Sequence, residues 1–209
     1  NHLQEKSDMS DEETLSLFGI TRFSMVTNRT LGSFRLTREK SINEAKSIIW
    51  EQERLRKRLW FFRNFCLPSY KMMSEQSENS HGAIILNEDI PILNEIIELC
   101  RDVPRLDVIA LNDDDNHRLK AKNHIKDVLG GGRRTFNYRY DDDDALSVNF
   151  LPLASSYARS QEDGACISFN IGYSLSRISS DKFGLKTRRY PMIGLGLGVL
   201  SNTNNLTTI

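Results

Sequence analysis

Four consecutive aspartates, Asp141 to Asp144, follow directly on Thr135 to Tyr140 (TFNYRY) and precede Ala145 and Leu146. Thr, Phe and Tyr favour a pleated strand, so the carboxylates are expected at a strand's C-terminal end. In open α/β sheets, ligands bind in the crevice outside those ends. Anions packed so closely repel one another unless a hard cation neutralises them, and an oxygen-only donor set selects Mg2+, Mn2+ or Ca2+. Acidic runs are more often solvated loops or tails. The strand before this run and the apolar residues after it (Leu146, Val148, Phe150, Leu151, Leu153) oppose a free tail. If the segment stays extended, Asp141 and Asp143 point the same way and can share one ion, while Asp142 and Asp144 face the other side.

Other residues could join this chemistry. Arg139 lies two residues before the run and could pair with it or grip a phosphate bidentately. Arg188 and Arg189 could close over a diphosphate from a loop, although surface ion pairs explain them equally well. Asp113 to Asp115 end another expected strand but read better as complements to the helix that follows. His117 and His124, seven residues apart on one helix, are weak evidence for a metal. Gly130 to Gly132 lack the Gly-Lys-Ser/Thr continuation of a phosphate-binding loop and read as a helix stop. No Gly-x-Ser-x-Gly motif and no Cys/His nucleophile pair stands out.

The elements that must position these residues alternate. A first strand is expected around Ile20 to Val26, then a long helix from Glu44 to Phe65 with Glu51, Arg54, Arg56, Lys57 and Arg58 on its wet side and Trp50 and Trp60 toward core or interface. Pro68 should end that helix or begin a further helical turn. A strand over Ala83 to Leu86, a helix from about residue 90 to Asp102, a strand over Leu106 to Leu111 and a helix from Asn116 to Leu129 follow. After the aspartates, Leu146 to Tyr157 reads as helix and Ala165 to Tyr173 as strand, and then comes a Gly-alternating run at Gly194, Gly196 and Gly198. Such alternation implies βαβ crossovers and a mostly parallel sheet with helices on both faces.

Bulk properties narrow the class. The 209 residues suffice for one domain with a real core. Lys+Arg and Asp+Glu are both 28, which argues against a dedicated nucleic-acid binder. Cys66, Cys100 and Cys166 are widely spaced in apolar stretches and read as buried, reduced thiols of a cytoplasmic protein. No apolar run reaches membrane-spanning length, which leaves peripheral membrane contact open. Residues 1–18 read as a flexible polar segment and 19–209 as one domain, whose Gly- and Asn-rich end suggests that C-terminal residues are missing.

The segment from Tyr140 to Leu146 (YDDDDAL) resembles the Asp-x-Asp region of GT-A glycosyltransferases. Other pieces agree in order: Thr21 to Met25 (TRFSM), the Arg-rich helix closing on Phe65 to Ser69 (FCLPS), His81 to Leu86 (HGAIIL) with Pro91 beyond it, and Ile167 to Phe169 with Gly172. Together they resemble the bacterial putative rhamnosyl transferase family over about residues 19–200. The resemblance implies a GT-A-like (Rossmann-like) α/β fold. It also implies transfer of a sugar, rhamnose by the family's name, from a nucleotide-sugar donor to a glycan or lipid-linked acceptor, with Mn2+ or Mg2+. It implies that Asp143 ligates the metal directly and that Asp141 faces the ribose or reaches the metal through water. Asp142 and Asp144 would shape the surroundings or touch the acceptor side. Asp89, at a strand end, would meet the donor base or ribose, and Lys122 and Arg139 would lie near the donor. Should the enzyme invert, Asp144 is the expected base, with Glu162 and Asp163 as alternatives. GT-A sites often add a His ligand nearer the C-terminus. The histidines here, His2, His81, His117 and His124, all precede the motif, so that ligand lies beyond Ile209 or is dispensed with. A Ca2+-binding interaction module and a two-ion phosphoryl-transfer enzyme are the alternatives that the acidic run leaves open.

Overall fold

The structure is a computed structural model that describes residues 15–32, 35–179, 182–190 and 195–208. Residues 1–14, Pro191 and Gly194 lie outside the described residues. Strand β1 (Ser16–Arg22) pairs in parallel with β2 (Ser80–Asn87) on one side and β4 (Arg134–Arg139) on the other, and β2 pairs in parallel with β3 (Leu106–Leu111). Strand β8 (Leu197–Asn202) runs antiparallel to β4 and to the short β5 (Cys166–Ile167). The order is β3-β2-β1-β4-β8-β5, a mostly parallel sheet of the expected α/β class. A second sheet contains only β6 (Ile171–Arg177) and β7 (Phe183–Arg189).

Alternation along the strands sends side chains to two faces. Leu17, Ile84, Leu86, Phe136, Tyr138, Tyr140 and Leu200 join the core under α2 (Gln52–Phe61), α3 (Leu67–Gln76), α4 (Leu93–Arg101) and α6 (Phe150–Arg159). Phe18, Ile20, Ala83, Ile85 and Leu111 face the other way, against Ala121, Ile125 and Leu129 of α5 (His117–Leu129). Asn116 caps α5, and Gly130, at φ 75°, ends it as expected.

Several elements differ from the sequence expectation. The first strand starts at Ser16, because Leu15, Leu17 and Phe18 are buried in the core. The expected long helix is divided. Helix α1 (Ile42–Ile49) begins on the capping box of Ser41 and Glu44, and α2 restarts on Glu51, whose carboxylate accepts from the Glu53 and Arg54 amides. Pro68 does not end the helix. A π-turn at Phe62–Cys66, in which the Leu67 amide donates to the Phe62 carbonyl, carries α2 into α3. Widening the helix there accommodates a residue that can neither donate to an α-helical ladder nor tolerate the carbonyl one turn back. The strand expected over residues 165–173 breaks after Ile167, and Gly198 occupies β8 because a side chain there would strike the Phe136 ring. Cys66 and Cys100 are buried, and burial pushes both thiols up to about 12. Cys166 is exposed, contrary to expectation.

The aromatic ladder leading to the aspartates is tightly fitted. Tyr70 packs at a tilt of 39° on Tyr140 with ring centroids 5.0 Å apart, and its hydroxyl lies 3.1 Å from Thr21 Oγ1. A Cβ at Gly82 would collide with the Tyr70 ring. Gly82→Ala should therefore lower unfolding stability by about 1–3 kcal/mol, read as a lower denaturant midpoint at unchanged slope.

Candidate active site

Parallel pairing of β1 to β4 brings their C-terminal ends to one rim. There Arg22 ends β1, Asn87 ends β2, Asp113 follows β3, and Arg139 leads into the aspartates. A cleft of about 230 Å³ opens at this rim. Met25, Val26, Leu36 and Ile49 form an apolar wall, and Arg22, Arg54, Arg58, Arg139 and Asp141 also line the cleft.

The loop after β1 is fixed by side chains standing in for a neighbouring strand. Asn87 accepts from the Val26 amide at 2.8 Å and donates to its carbonyl at 2.6 Å. Trp50 Nε1 donates to the Ser24 carbonyl at 2.9 Å, where Ser24 holds a left-handed φ of 43°. The Asn28 amide donates to the Asp113 carbonyl at 2.8 Å. Lys46, buried on α1, places Nζ 2.5 Å from both Asp89 Oδ2 and Asp113 Oδ1. Burial opposes its charge, but the bonds to Asp113 and Asp89 outweigh that and hold the ammonium above its ordinary value. Asp113 is thus part of a clamp and not of the α5 cap.

The tetra-aspartate does not stay extended. The Asp144 amide donates to the Asp141 carbonyl at 3.1 Å, which closes a turn over Asp142 and Asp143. The expected alternation of side chains gives way to a division of labour. Asp142 is fully buried and gripped by Arg58, whose Nε donates to Oδ2 at 3.1 Å and whose Nη2 meets Oδ1. The same guanidinium reaches Asp143 Oδ2 through Nη1 at 2.5 Å. Asp141 lines the cleft, and among the described residues its carboxylate has no hydrogen bond or ion pair; Arg22 attracts it at longer range. Asp144 is half-buried, and burial together with the charges of Asp143 and Asp141 pushes its carboxyl up to about 6.

Of the predicted residues, Asp141 and Arg139 line the cleft, while Asp143 and Asp144 lie in the same turn, close enough for the charges of Asp141 and Asp143 to act on Asp144. Asp142 points inward and does not present its carboxylate to the cleft. Asp89 sits at the rim but is committed to Lys46. Lys122 lies on α5, outside the cleft lining. Asp163 pairs with Arg134 at the start of β4, the opposite rim, which separates it and its neighbour Glu162 from the cleft. Arg188 is on β7, bonded to Ser174, and Arg189 ends that strand. His124 Nε2 lies 3.0 Å from Asp107. His117 shares a small pocket with Arg22, Arg118 and Arg139, where burial and those Arg22 and Arg118 charges push it down to about 4.

Sequence reasoning missed Arg22, Arg58, Lys46 and Asn87. Arg54 and Arg58, one helical turn apart and expected on a wet surface, line the cleft. Their spacing on the face beside buried Leu55 was the available signal. Among the described residues, no group of three His, Cys, Asp or Glu side chains is arranged to hold a metal ion alone.

The family described as "Putative rhamnosyl transferase" matches residues 16–209. The chain belongs to that family. No curated protein matches the chain. Similar solved structures include S. aureus TarS 1-349, at 12% identity and TM-score 0.33, covering 68% of this chain and 32% of that one. A 4-diphosphocytidyl-2C-methyl-D-erythritol synthase matches at 8% identity and TM-score 0.43, covering 91% and 76%. A glucose-1-phosphate thymidylyltransferase of Bacillus anthracis, described as putative, matches at 12% identity and TM-score 0.37, covering 90% and 72%. The chain thus spans about a third of the TarS chain. Among the described residues no helix is long and apolar enough to cross a membrane.

Two outcomes follow from the charge arrangement. Arg58→Ala strands the buried Asp142 carboxylate and should cost about 3–5 kcal/mol in chemical denaturation, with Arg58→Lys intermediate. Asp144 has a folded pKa above its unfolded one, so its contribution favours folding at low pH and fades as pH rises toward about 6. Asp144→Asn should therefore melt higher than the parent at about pH 7, and the difference should close near about pH 4.

Proposed function

We propose that the rim cleft is the donor site of a glycosyltransferase that moves a sugar from a nucleotide-sugar to a hydroxyl of a glycan or lipid-linked acceptor. The observation that carries this reading is the Asp141 carboxylate, without a hydrogen bond or ion pair among the described residues, lining a cleft with Arg22 and Arg139 at the C-terminal ends of parallel strands. The apolar wall of Met25, Val26, Leu36 and Ile49 suits a nucleobase. Arg22 and Arg139 suit a diphosphate, since guanidinium groups recognise phosphate oxygens bidentately. The family description favours rhamnose as the sugar.

The donor set fits Mn2+ or Mg2+ in its chemistry: it is oxygen-only, and the charges of Asp143 and Asp141, which add to burial in pushing Asp144 up, are ones a cation would offset. Asp141 and Asp143 would hold the ion, Asp143 through Oδ1, because Oδ2 is taken by Arg58. With no third protein ligand grouped there among the described residues, a donor diphosphate would supply further oxygens. A bound ion would offset charge on the phosphates and on the departing nucleoside diphosphate. In an inverting transfer Asp144 would accept the acceptor hydroxyl's proton; a carboxyl that burial pushes up to about 6 is ionised yet basic enough near neutrality.

A thermal-shift panel of nucleoside diphosphates with and without Mn2+ tests this reading. Ligands that bind only the folded state raise the melting temperature. One nucleoside diphosphate should do so only with the metal, and Asp143→Ala should abolish that shift while keeping the parent's melting temperature without ligand. Metal-dependent binding unchanged in Asp143→Ala would sink the site assignment, and a Ca2+ response indifferent to every nucleotide would point to a binding module instead.

A further inference from the structure

The β6–β7 hairpin forms a sheet of its own, and none of its described residues is buried. Register sets Leu175 opposite Leu185, Arg177 opposite Phe183, Tyr173 opposite Thr187 and Ile171 opposite Arg189. Side-chain alternation therefore gathers Ile171, Tyr173, Leu175, Phe183 and Leu185 on one face. They are 62%, 67%, 47%, 53% and 65% exposed. Ile178 and Tyr190, beyond the ends of the strands, are 70% and 52% exposed. A lone two-stranded hairpin is marginally stable in water, and a contiguous exposed apolar face marks an interaction surface.

Charge decides what that surface meets. Arg177, Lys182, Lys186, Arg188 and Arg189 lie in residues 171–190, where Asp181 is the single acid, although the whole chain is balanced at 28 against 28. Arg177 and Arg189 share the apolar face by register, and Lys186 and Arg188 occupy the reverse. A two-fold contact between copies of this face would set arginine against arginine. Aromatic and aliphatic side chains interleaved with cations instead match the boundary between acyl chains and anionic headgroups, where Tyr is favoured and Lys and Arg are attracted. We propose that this hairpin docks the protein onto an anionic lipid bilayer surface without crossing it. This inference stands independently of the donor-site reading.

Flotation of the full chain with vesicles tests it. Phosphatidylcholine vesicles carrying about 30 mol% phosphatidylglycerol should float the protein, pure phosphatidylcholine should not, and binding should fall steeply as salt rises above about 0.1 M. Leu175→Ser with Leu185→Ser, and separately Lys186→Glu with Arg189→Glu, should each reduce the bound fraction about tenfold at unchanged melting temperature. These positions are exposed, so the main sheet is untouched. If one pair perturbs folding, the other decides. Failure to float on anionic vesicles overturns the proposal. So does flotation unaffected by both double variants, or a concentration-dependent dimer that Leu175→Ser dissolves, which would make a second copy the occupant.

Discussion

The rim depends on the burial of one carboxylate. Asp142 is completely removed from solvent, and an unpaired charge there would be prohibitively costly. Arg58 makes the arrangement possible by spending its donors on two aspartates at once. This forces the chain to turn where β4 ends, and the turn separates the acids by role. Asp142 becomes an anchor, Asp143 is half claimed, and Asp141 and Asp144 are left facing one another's charge. The serine of α3 completes the exit, since the Leu146 amide donates to Ser69 Oγ at 3.0 Å. A helix and a turn far apart in sequence are thereby locked together by one guanidinium.

A second device holds the opposite wall. Lys46 ties the ends of β2 and β3 through Asp89 and Asp113, and its ammonium also lies 5.0 Å from the Trp50 ring centre. Trp50 in turn holds the carbonyl of Ser24, whose left-handed backbone is a conformation non-glycine residues rarely adopt. Strain of that kind persists only where surroundings over-determine it. Asn87 supplies the rest by acting as a strand edge for Val26. The Met25–Val26 part of the apolar wall is thus a loop without regular structure of its own, held by the side chains of Trp50 and Asn87.

The legible parts of this protein were those whose signals are local. Helix α5 could be read from Asn116 to Gly130 because its cap, its apolar stripe and its stop all lie within the segment. Strands β2 and β3 showed as apolar runs bounded by polar residues, and alternation of elements was enough for the sheet class. The rim location of the aspartates followed from the strand before them. What stayed hidden required distant partners. Arg58 looks like one more charge on a basic helix until Asp142 needs it. Pro68 looks like a helix stop because a π-turn leaves no mark in composition. The break after Ile167 lies inside a run that alternates without interruption, so pattern alone joins β5 to β6. Asp113 looks like a cap because its real partner, Lys46, is 67 positions away in the chain.

Balanced totals conceal how sharply charge is sorted along this chain. Acids crowd the sheet rim, with arginines of α2 and the strand ends drawn to them, whereas the hairpin concentrates cations around an apolar face with hardly any acid. Were these charges mixed evenly, each would find a partner nearby and the surface would be electrostatically quiet. Segregation instead leaves two charged places, one concave and of mixed sign, one exposed and cationic. A concave rim of mixed sign can bind a compact anion while holding its own carboxylates ready, because the arginines neutralise phosphates and the aspartates repel them unless a cation intervenes. An exposed cationic face with aromatic side chains is suited to a broad anionic surface. The two regions therefore ask for ligands of different dimensions, and both demands arise from where the fold places like charges, not from how many there are.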